Sequence, residues 1–437
     1  SSFTVSADAK GAPCPPERFS PAFGGATENP LAGTYSPFNL SFSREDGEVQ
    51  LEGLAATLPP GLLGSLKGIP YCPEAALAAV SGALGAGAAQ EASPSCPTAS
   101  RLGTVTVGAG AGPNPFYTQS GKAYLAGPYK GAPLSLAVIA PAVAGPFDLG
   151  SVVVRNALRV DPESTQITAV SDPLPQILHG IPLDLRDVRV ALDRPSFTLN
   201  PTSCDPMAIE ATLTSTKGTS AERSERFQVG ACKRLAFGPG LSLRLKGGTH
   251  RAQHPALRAV LRMPTKGANA NIARTSVALP HSEFLAQAHI RTVCTRVQFA
   301  AGAGNGTECP KGSVYGHAAA ISPLLDEPLE GPVYLRSSNH TLPDLVAALG
   351  GQIDVDLVGR IDSARDGGIR TTFATVPDAP VSKFVLSMQG GRKGLLENST
   401  DLCRSPHRAT VAMDAHNGKT ADSRPVLRVR CRGGKLG

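Results

Sequence analysis

Apolar and polar residues alternate along much of this chain with a period of two. Phe38-Asn39-Leu40-Ser41-Phe42-Ser43 is the clearest run, and the pattern returns at 103–107, 134–139, 151–160, 187–192 and 207–214. In the second half it returns at 240–245, 256–263, 352–362, 369–375 and 383–388. Side chains on a strand point alternately to its two faces, so this period predicts half-buried strands. Turn residues punctuate the runs. Asp46-Gly47 predicts a hairpin between 38–43 and a return strand at 49–54, which Leu58-Pro59-Pro60-Gly61 ends. Asp366-Gly367-Gly368 marks another turn. Short strands spaced by turns predict an all-β fold of β-sandwich-like units, with a short helix at 73–81.

The sequence then repeats itself. Cys72, Cys96, Cys204 and Cys232 form one set, and Cys294, Cys309, Cys403 and Cys431 form a second. Cys96-Pro97-x-x-Ser100-x-x-Gly103 returns as Cys309-Pro310-x-x-Ser313-x-x-Gly316. Gly121-Lys122-Ala123-Tyr124-Leu125 returns as Gly331-Pro332-Val333-Tyr334-Leu335. The expected organisation is an N-terminal strand and linker at 1–30, a first β repeat at 31–232 and a second at 233–437. A repeat of roughly 200 residues exceeds one small sandwich, so two small sheets are expected in each. Even cysteine sets at matched spacing predict disulfides and an oxidising, extracellular setting. Order along the chain pairs Cys72 with Cys96, Cys204 with Cys232, Cys294 with Cys309 and Cys403 with Cys431.

Cys14 is the odd cysteine, expected to be unpaired or to bridge subunits. The segment Phe3-Thr4-Val5-Ser6-Ala7 alternates like Phe227-Gln228-Val229-Gly230-Ala231. It reads as the closing strand of a preceding repeat, or as a donor strand with Phe3, Val5 and Ala7 seated in a neighbour's sheet. The chain begins in mid-pattern, without Met or a signal peptide, so a processed form or a piece of a longer protein is expected.

Apolar residues make up 41% of the 437 positions, enough for packed cores, and no Trp is present. The net charge of +7 is spread along the chain, with one cluster at Arg428, Arg430, Arg432 and Lys435. Nucleic-acid binding needs a denser basic patch, so no nucleic-acid partner is expected. Contact with an acidic cell wall or polysaccharide fits a diffuse positive charge better. No stretch of 18 apolar residues occurs, so no membrane-spanning helix is expected.

Several phrases carry a resemblance: Tyr35-Ser36-Pro37-Phe38, Leu58-Pro59-Pro60-Gly61-Leu62-Leu63, Gly127-Pro128-Tyr129-Lys130-Gly131-Ala132-Pro133, Ala144-Gly145-Pro146-Phe147-Asp148-Leu149-Gly150 and Asn200-Pro201-Thr202-Ser203-Cys204. With these, residues 1–232 resemble a repeat found in large secreted proteins of high-GC soil actinobacteria; the second half resembles it less. The resemblance implies secretion and repetition and brings no chemistry with it.

Candidate chemistry is sparse. There is no G-x-S-x-G, H-E-x-x-H, phosphate-binding loop or dinucleotide fingerprint, and no cofactor is expected. His250 and His254 have a helical metal-ligand spacing but fall among Gly, Thr and Pro, so a solvated loop is expected. Asp354, Asp356, Asp362 and Asp366 could hold calcium, although Asp362 matches Asp161 in the first repeat, near a strand end. Asn39, Asn305, Asn339 and Asn398 occupy N-x-Ser/Thr sequons. Pro115-Phe116-Tyr117 with Tyr124 and Tyr129 could form a sugar platform, although gap-filling between sheets explains them as well. The expected function is a non-enzymatic extracellular structural protein: a stalk, sheath or filament segment associating with itself or with neighbouring repeats. An adhesin or polysaccharide-binding module and a secreted hydrolase are the alternatives.

Overall fold

The computed structural model describes residues 18–112, 114–264, 267–302, 304–364 and 367–431. Phe3, Val5, Ala7, Cys14, Asp366, Arg432 and Lys435 lie outside the described residues. The protein is nearly all β. The first half contributes β1 (Ala22–Thr27), β2 (Phe38–Ser43), β3 (Leu51–Thr57), β4 (Arg101–Ala109), β5 (Phe116–Ala126), β6 (Leu134–Ala144), β7 (Phe147–Val160), β8 (Ile167–Ser171), β9 (Leu185–Leu192), β10 (Met207–Ser215) and β11 (Ser220–Phe227). The second contributes β12 (Gly240–Lys246), β13 (Ala256–Arg262), β14 (Ile272–Ala278), β15 (Val314–Ile321), β16 (Leu329–Arg336), β17 (Asp344–Leu349), β18 (Val355–Ser363), β19 (Ile369–Phe373), β20 (Lys383–Met388), β21 (Thr410–Ala415) and β22 (Thr420–Ser423).

These strands form two large sheets. The first runs β1-β2-β9-β4-β5-β6-β7-β8-β3-β10-β11, and the second runs β12-β13-β20-β15-β16-β17-β18-β19-β14-β21-β22. Every strand of the second stands eleven numbers above its counterpart. Leu427–Arg428 adds a short parallel segment to β12. The register agrees as well: Tyr124 pairs with Arg101 and Ala137, and Tyr334 pairs with Val314 and Val346. Buried Asn200 donates through Nδ2 to Asn29 O and Leu31 O (2.8 and 3.0 Å), and buried Asn398 to Gly248 O and His250 O (3.2 and 3.0 Å). Each asparagine ties the loop after β1 or β12 to the same point of its sheet.

Each sheet curls over on itself. In the first, Phe23 of β1 and Phe42 of β2 pack against Ala211 and Leu213 of β10. Arg223 of β11 donates to Pro21 O (2.7 Å) and Ser20 Oγ (3.2 Å), joining the two edges. Leu241 and Leu261 pack with Val411 and Met413 in the second sheet. The expectation of two small sheets per repeat is therefore corrected. One continuous sheet closes by burying the inner faces of its own edge strands.

Asp46-Gly47 does not close a hairpin. β2 pairs with β1 and β9, whereas β3 pairs with β8 and β10. Phe42 and Leu51 both face the interior, from opposite walls, and Arg44 in the turn donates to Leu185 O (2.8 Å) and Glu48 O (2.9 Å). Residues 22–27, expected in a linker, are a strand because β2 offers them a free edge. The alternating segment Phe227-Gln228-Val229-Gly230-Ala231 leaves the sheet at Phe227, where β11 ends and the chain turns into the Cys232 bridge.

Four disulfides join Cys72 to Cys96, Cys204 to Cys232, Cys294 to Cys309 and Cys403 to Cys431. The repeated Cys-Pro-x-x-Ser-x-x-Gly motif is structural. Pro97 and Pro310 precede a single helical turn, whose buried Ser100 and Ser313 donate Oγ to Pro97 O (2.8 Å) and Pro310 O (2.6 Å). Gly103 and Gly316 then sit at a register shift. A Cβ there would lie 1.9 Å from Ala191 O or 2.6 Å from Ser387 O, so only glycine fits.

The two curled sheets stack end to end. The loop 58–71 crosses one end of the first sheet, its base, and meets the opposite end of the second, its rim. Leu66 N and Lys67 N donate to Leu324 O (2.8 and 3.1 Å), and Gly68 N donates to Asp326 Oδ1 (2.8 Å). Asp378, itself buried, accepts from Thr202 N (2.7 Å), Thr202 Oγ1 (2.5 Å), Ser203 N (3.2 Å) and Asn271 Nδ2 (2.8 Å). Gly61, at φ 82°, leaves room for this carboxylate. Leu63 and Leu199 pack on Leu324 across the same joint.

Candidate functional site: an apolar cavity through both sheets

The alternation on β6 leads to the site. Ser135, Ala137 and Ile139 point outward, yet they are buried. Leu136, Val138 and Ala140 point inward, yet they are only half-buried. The outer face is covered by the disulfide-tied segment after Cys72, where Leu77 and both cysteines pack on Tyr124, Ala137 and Ile139. Cys294, Cys309 and Phe299 make the same cover on the second sheet, over Tyr334, Val346 and Ala348. Away from the edge strands, the inner faces do not meet each other. They enclose a cavity of about 740 Å³.

The cavity runs from Val138 and Val154 in the first sheet, past Leu63, Leu66, Leu324 and Leu325 at the joint, to Leu257, Phe373 and Leu386 in the second. Among the described residues no Asp, Glu, Lys, Arg or His lines it. Its few polar groups include Asn156, which donates to Leu136 O (3.3 Å), and Thr118, which donates to Pro141 O (3.1 Å). An apolar cavity of this kind excludes water and favours an apolar occupant. Its size falls in the range of small-ligand pockets, roughly 300–1,000 Å³.

The residues singled out from sequence lie elsewhere. His250 Nδ1 faces Asp401 Oδ2 at 3.2 Å. His254 Nδ1 contacts Leu396 O at 3.0 Å and its ring lies 4.2 Å from that of His289. Among the described residues no group of three His, Cys, Asp or Glu could hold a metal ion. Asp362 is clamped by Arg370 at 2.7 and 2.8 Å, which lowers its pKa. Asp161 accepts from Ser164 N and Oγ, both at 2.7 Å, inside its own loop. Asp356 N donates to Pro162 O (2.7 Å) at the joint between the sheets, and Asp354 precedes it just before β18 begins, at the other end of the strand from Asp362. Burial raises both pKa values, that of Asp356 to about 6.

The aromatic residues are not one platform. Tyr124 is buried under the first disulfide segment. Tyr129 Oη donates to Asp172 Oδ2 (2.7 Å), and Tyr117 Oη donates to Asp187 Oδ2 (3.1 Å). Phe116 is half exposed and lines one end of the cavity. Of the asparagines in sequons, Asn39 donates to Glu28 Oε1 (3.1 Å), and Asn398 is buried.

No family model matches this chain, and no curated protein matches it. Among solved structures the chain is similar to Enterococcus faecalis ACE, an MSCRAMM described as binding its ligands by a collagen hug, at 8% identity over 94% of both chains with a TM-score of 0.22. It is similar to the C-terminal domain of the Streptococcus pyogenes antigen I/II-family protein AspA at 8% identity, covering 96% of this chain and 97% of that one, with a TM-score of 0.19. The B domain of a biofilm associated protein gives 7% identity over 93% of this chain and 85% of that one, with a TM-score of 0.19. Scores of this size do not reach a common topology. No helix among the described residues is long and apolar enough to cross a membrane.

The cavity left one trace in the sequence. The inward positions of β6, β7 and β9 are mostly aliphatic, as Leu136, Val138, Val152, Val154, Leu158 and Val190, with Asn156 interrupting the row on β7. Such a row reads equally well as a filled core.

Proposed function

We propose that this chain is a non-enzymatic extracellular carrier that holds a water-insoluble ligand of acyl-chain chemistry in the cavity running through both sheets. The inverted burial on β6 carries this reading. Inward Leu136 and Val138 remain accessible while outward Ala137 and Ile139 are sealed. Filling the interior would bury that surface at roughly 25 cal/mol per Å². Four disulfides support the extracellular setting. The test is uptake of a fluorescent fatty acid. Purified protein should bind it, and the double variant V154F/A169F, which adds bulk at two cavity-lining positions, should bind about tenfold more weakly while keeping its far-UV circular dichroism. Equal binding by the filled variant would refute the reading.

The head-to-tail joint supports a second reading, a structural segment of a stalk or filament. Asp378 and its four donors lock the sheets into one rod rather than two tethered domains. Electron micrographs of native material test this: extended assemblies support it, and dispersed single particles refute it.

A further inference from the structure

The rim of the first sheet differs from its counterpart. Registers match at Tyr124 and Tyr334, near the base, so extra length accumulates at the other end. β5, β6 and β7 have 11, 11 and 14 residues, against 8, 6 and 9 for β16, β17 and β18. The first disulfide loop spans 24 positions against 15. An additional hairpin, 177–182, occupies the connection between β8 and β9.

These additions meet in a ring. Phe116 pairs with Ala109, and Gly110 N donates to Leu183 O (3.0 Å). His179 Nε2 contacts Gly82 O (2.5 Å), and Gly85 N donates to Asp148 O (2.9 Å), beside the β6–β7 turn where Ala144 pairs with Phe147. The ring surrounds one end of the cavity, because Phe116, Ala144, Ile181 and Leu183 also line it. Its tips are apolar and open: Leu84 is 64% exposed, Phe116 51%, Phe147 69%, Ile177 62% and Ile181 48%. Segments 81–86, 114–117, 144–147 and 177–183 contain no Asp, Glu, Lys or Arg.

Building on the carrier reading, we propose that this ring docks the protein on a lipid surface, inserting Leu84, Phe147 and Ile177 among the acyl chains so that a lipid tail passes into the cavity without crossing water. Two features select a lipid surface over a protein partner. The exposed side chains continue directly into an apolar cavity that only a membrane-borne ligand needs to reach. The tips carry none of the charges that would be stripped of water on entering a bilayer. The rim of the second sheet, which meets the first sheet and not solvent, lacks the longer strands and the hairpin.

Flotation with phosphatidylcholine vesicles is the test. The wild-type protein should float, with little change between low and high salt and no requirement for anionic lipid. F147D and I177D, at exposed tips that do not line the cavity, should each lower the partition coefficient about tenfold or more. V297D, at an exposed apolar site on the second half, should float like the wild type. All three variants should still take up the fluorescent fatty acid from solution. A wild-type protein that takes up the probe but does not float overturns the docking and leaves the carrier reading standing. One that floats through the ring but takes up no probe overturns the carrier reading alone. Flotation that requires anionic lipid, or a wild-type protein that self-associates through Phe147 in sedimentation, overturns the docking.

Discussion

Glu283 should be the largest single drag on the stability of this fold at neutral pH. It pairs with Asn398; continuing the Leu63–Leu199 pairing of the first half by one position puts Leu62 in the equivalent place beside Asn200. Leu62 is an ordinary core residue, whereas Glu283 is a buried carboxyl with 0% exposure, which the neighbouring Ser282 hydroxyl offsets only in small part. Burial raises its pKa from 4.5 to about 8. In the unfolded chain the group ionises near 4.5; in the folded protein it stays protonated until about 8. Between those values the folded state holds the extra proton, so stability falls as pH rises, by about 1.4 kcal/mol per unit, and levels off above 8. At pH 7 the gap of about 2.5 units amounts to ~3 kcal/mol. Replacing Glu283 by Gln removes the titration, and replacing it by Leu restores the residue of the other half. Both variants should be more stable than the wild type at pH 7, each by roughly 3 kcal/mol. Urea unfolding followed by circular dichroism from pH 4 to 9 is the assay. Asp356, raised to about 6, and His407, whose pKa burial lowers from 6.5, will leave E283Q a residual slope at lower pH, so the decisive window is pH 7 to 8, where E283Q should be nearly flat. Parallel curves for E283Q and the wild type in that window would refute the reasoning.

Other expected outcomes follow from the joint, the bridges and the motif glycines. D378A leaves Thr202 N and Asn271 Nδ2 without their acceptor in a buried joint and should cost about 2–4 kcal/mol, read by thermal unfolding. Removing the Cys403–Cys431 bridge, which spans 28 positions, should cost ~3–4 kcal/mol in the same assay. G103V and G316V each force a side chain onto a facing carbonyl, so each should lower the soluble yield or the melting temperature; an unchanged melting temperature in both variants would show that the sheet yields there. Saturating fatty acid at about a hundred times its Kd should raise stability by ~2.7 kcal/mol in the wild type and less in V154F/A169F.

Sequence alone determined the class of the fold and its repetition. Period-two alternation, turn residues and two matched cysteine sets are local or ordered along the chain, so they are legible without coordinates. The equivalence of Tyr124 with Tyr334 was legible for the same reason. Only the tertiary structure decided how the strands were shared out. Asp46-Gly47 has the chemistry of a hairpin, but the better burial of Phe42 and Leu51 on opposite walls sent β2 and β3 to different partners. Alternation says which side chains share a face and not what the face meets, so the inward row Leu136, Val138 and Val154 reads the same whether it packs or encloses a cavity. The curvature of the sheets decided that, by holding their inner faces apart while the disulfide segments sealed the outside. The meeting of Leu84, Phe116, Phe147 and Ile177 in one ring likewise depends on contacts between segments distant in sequence, which no local pattern records.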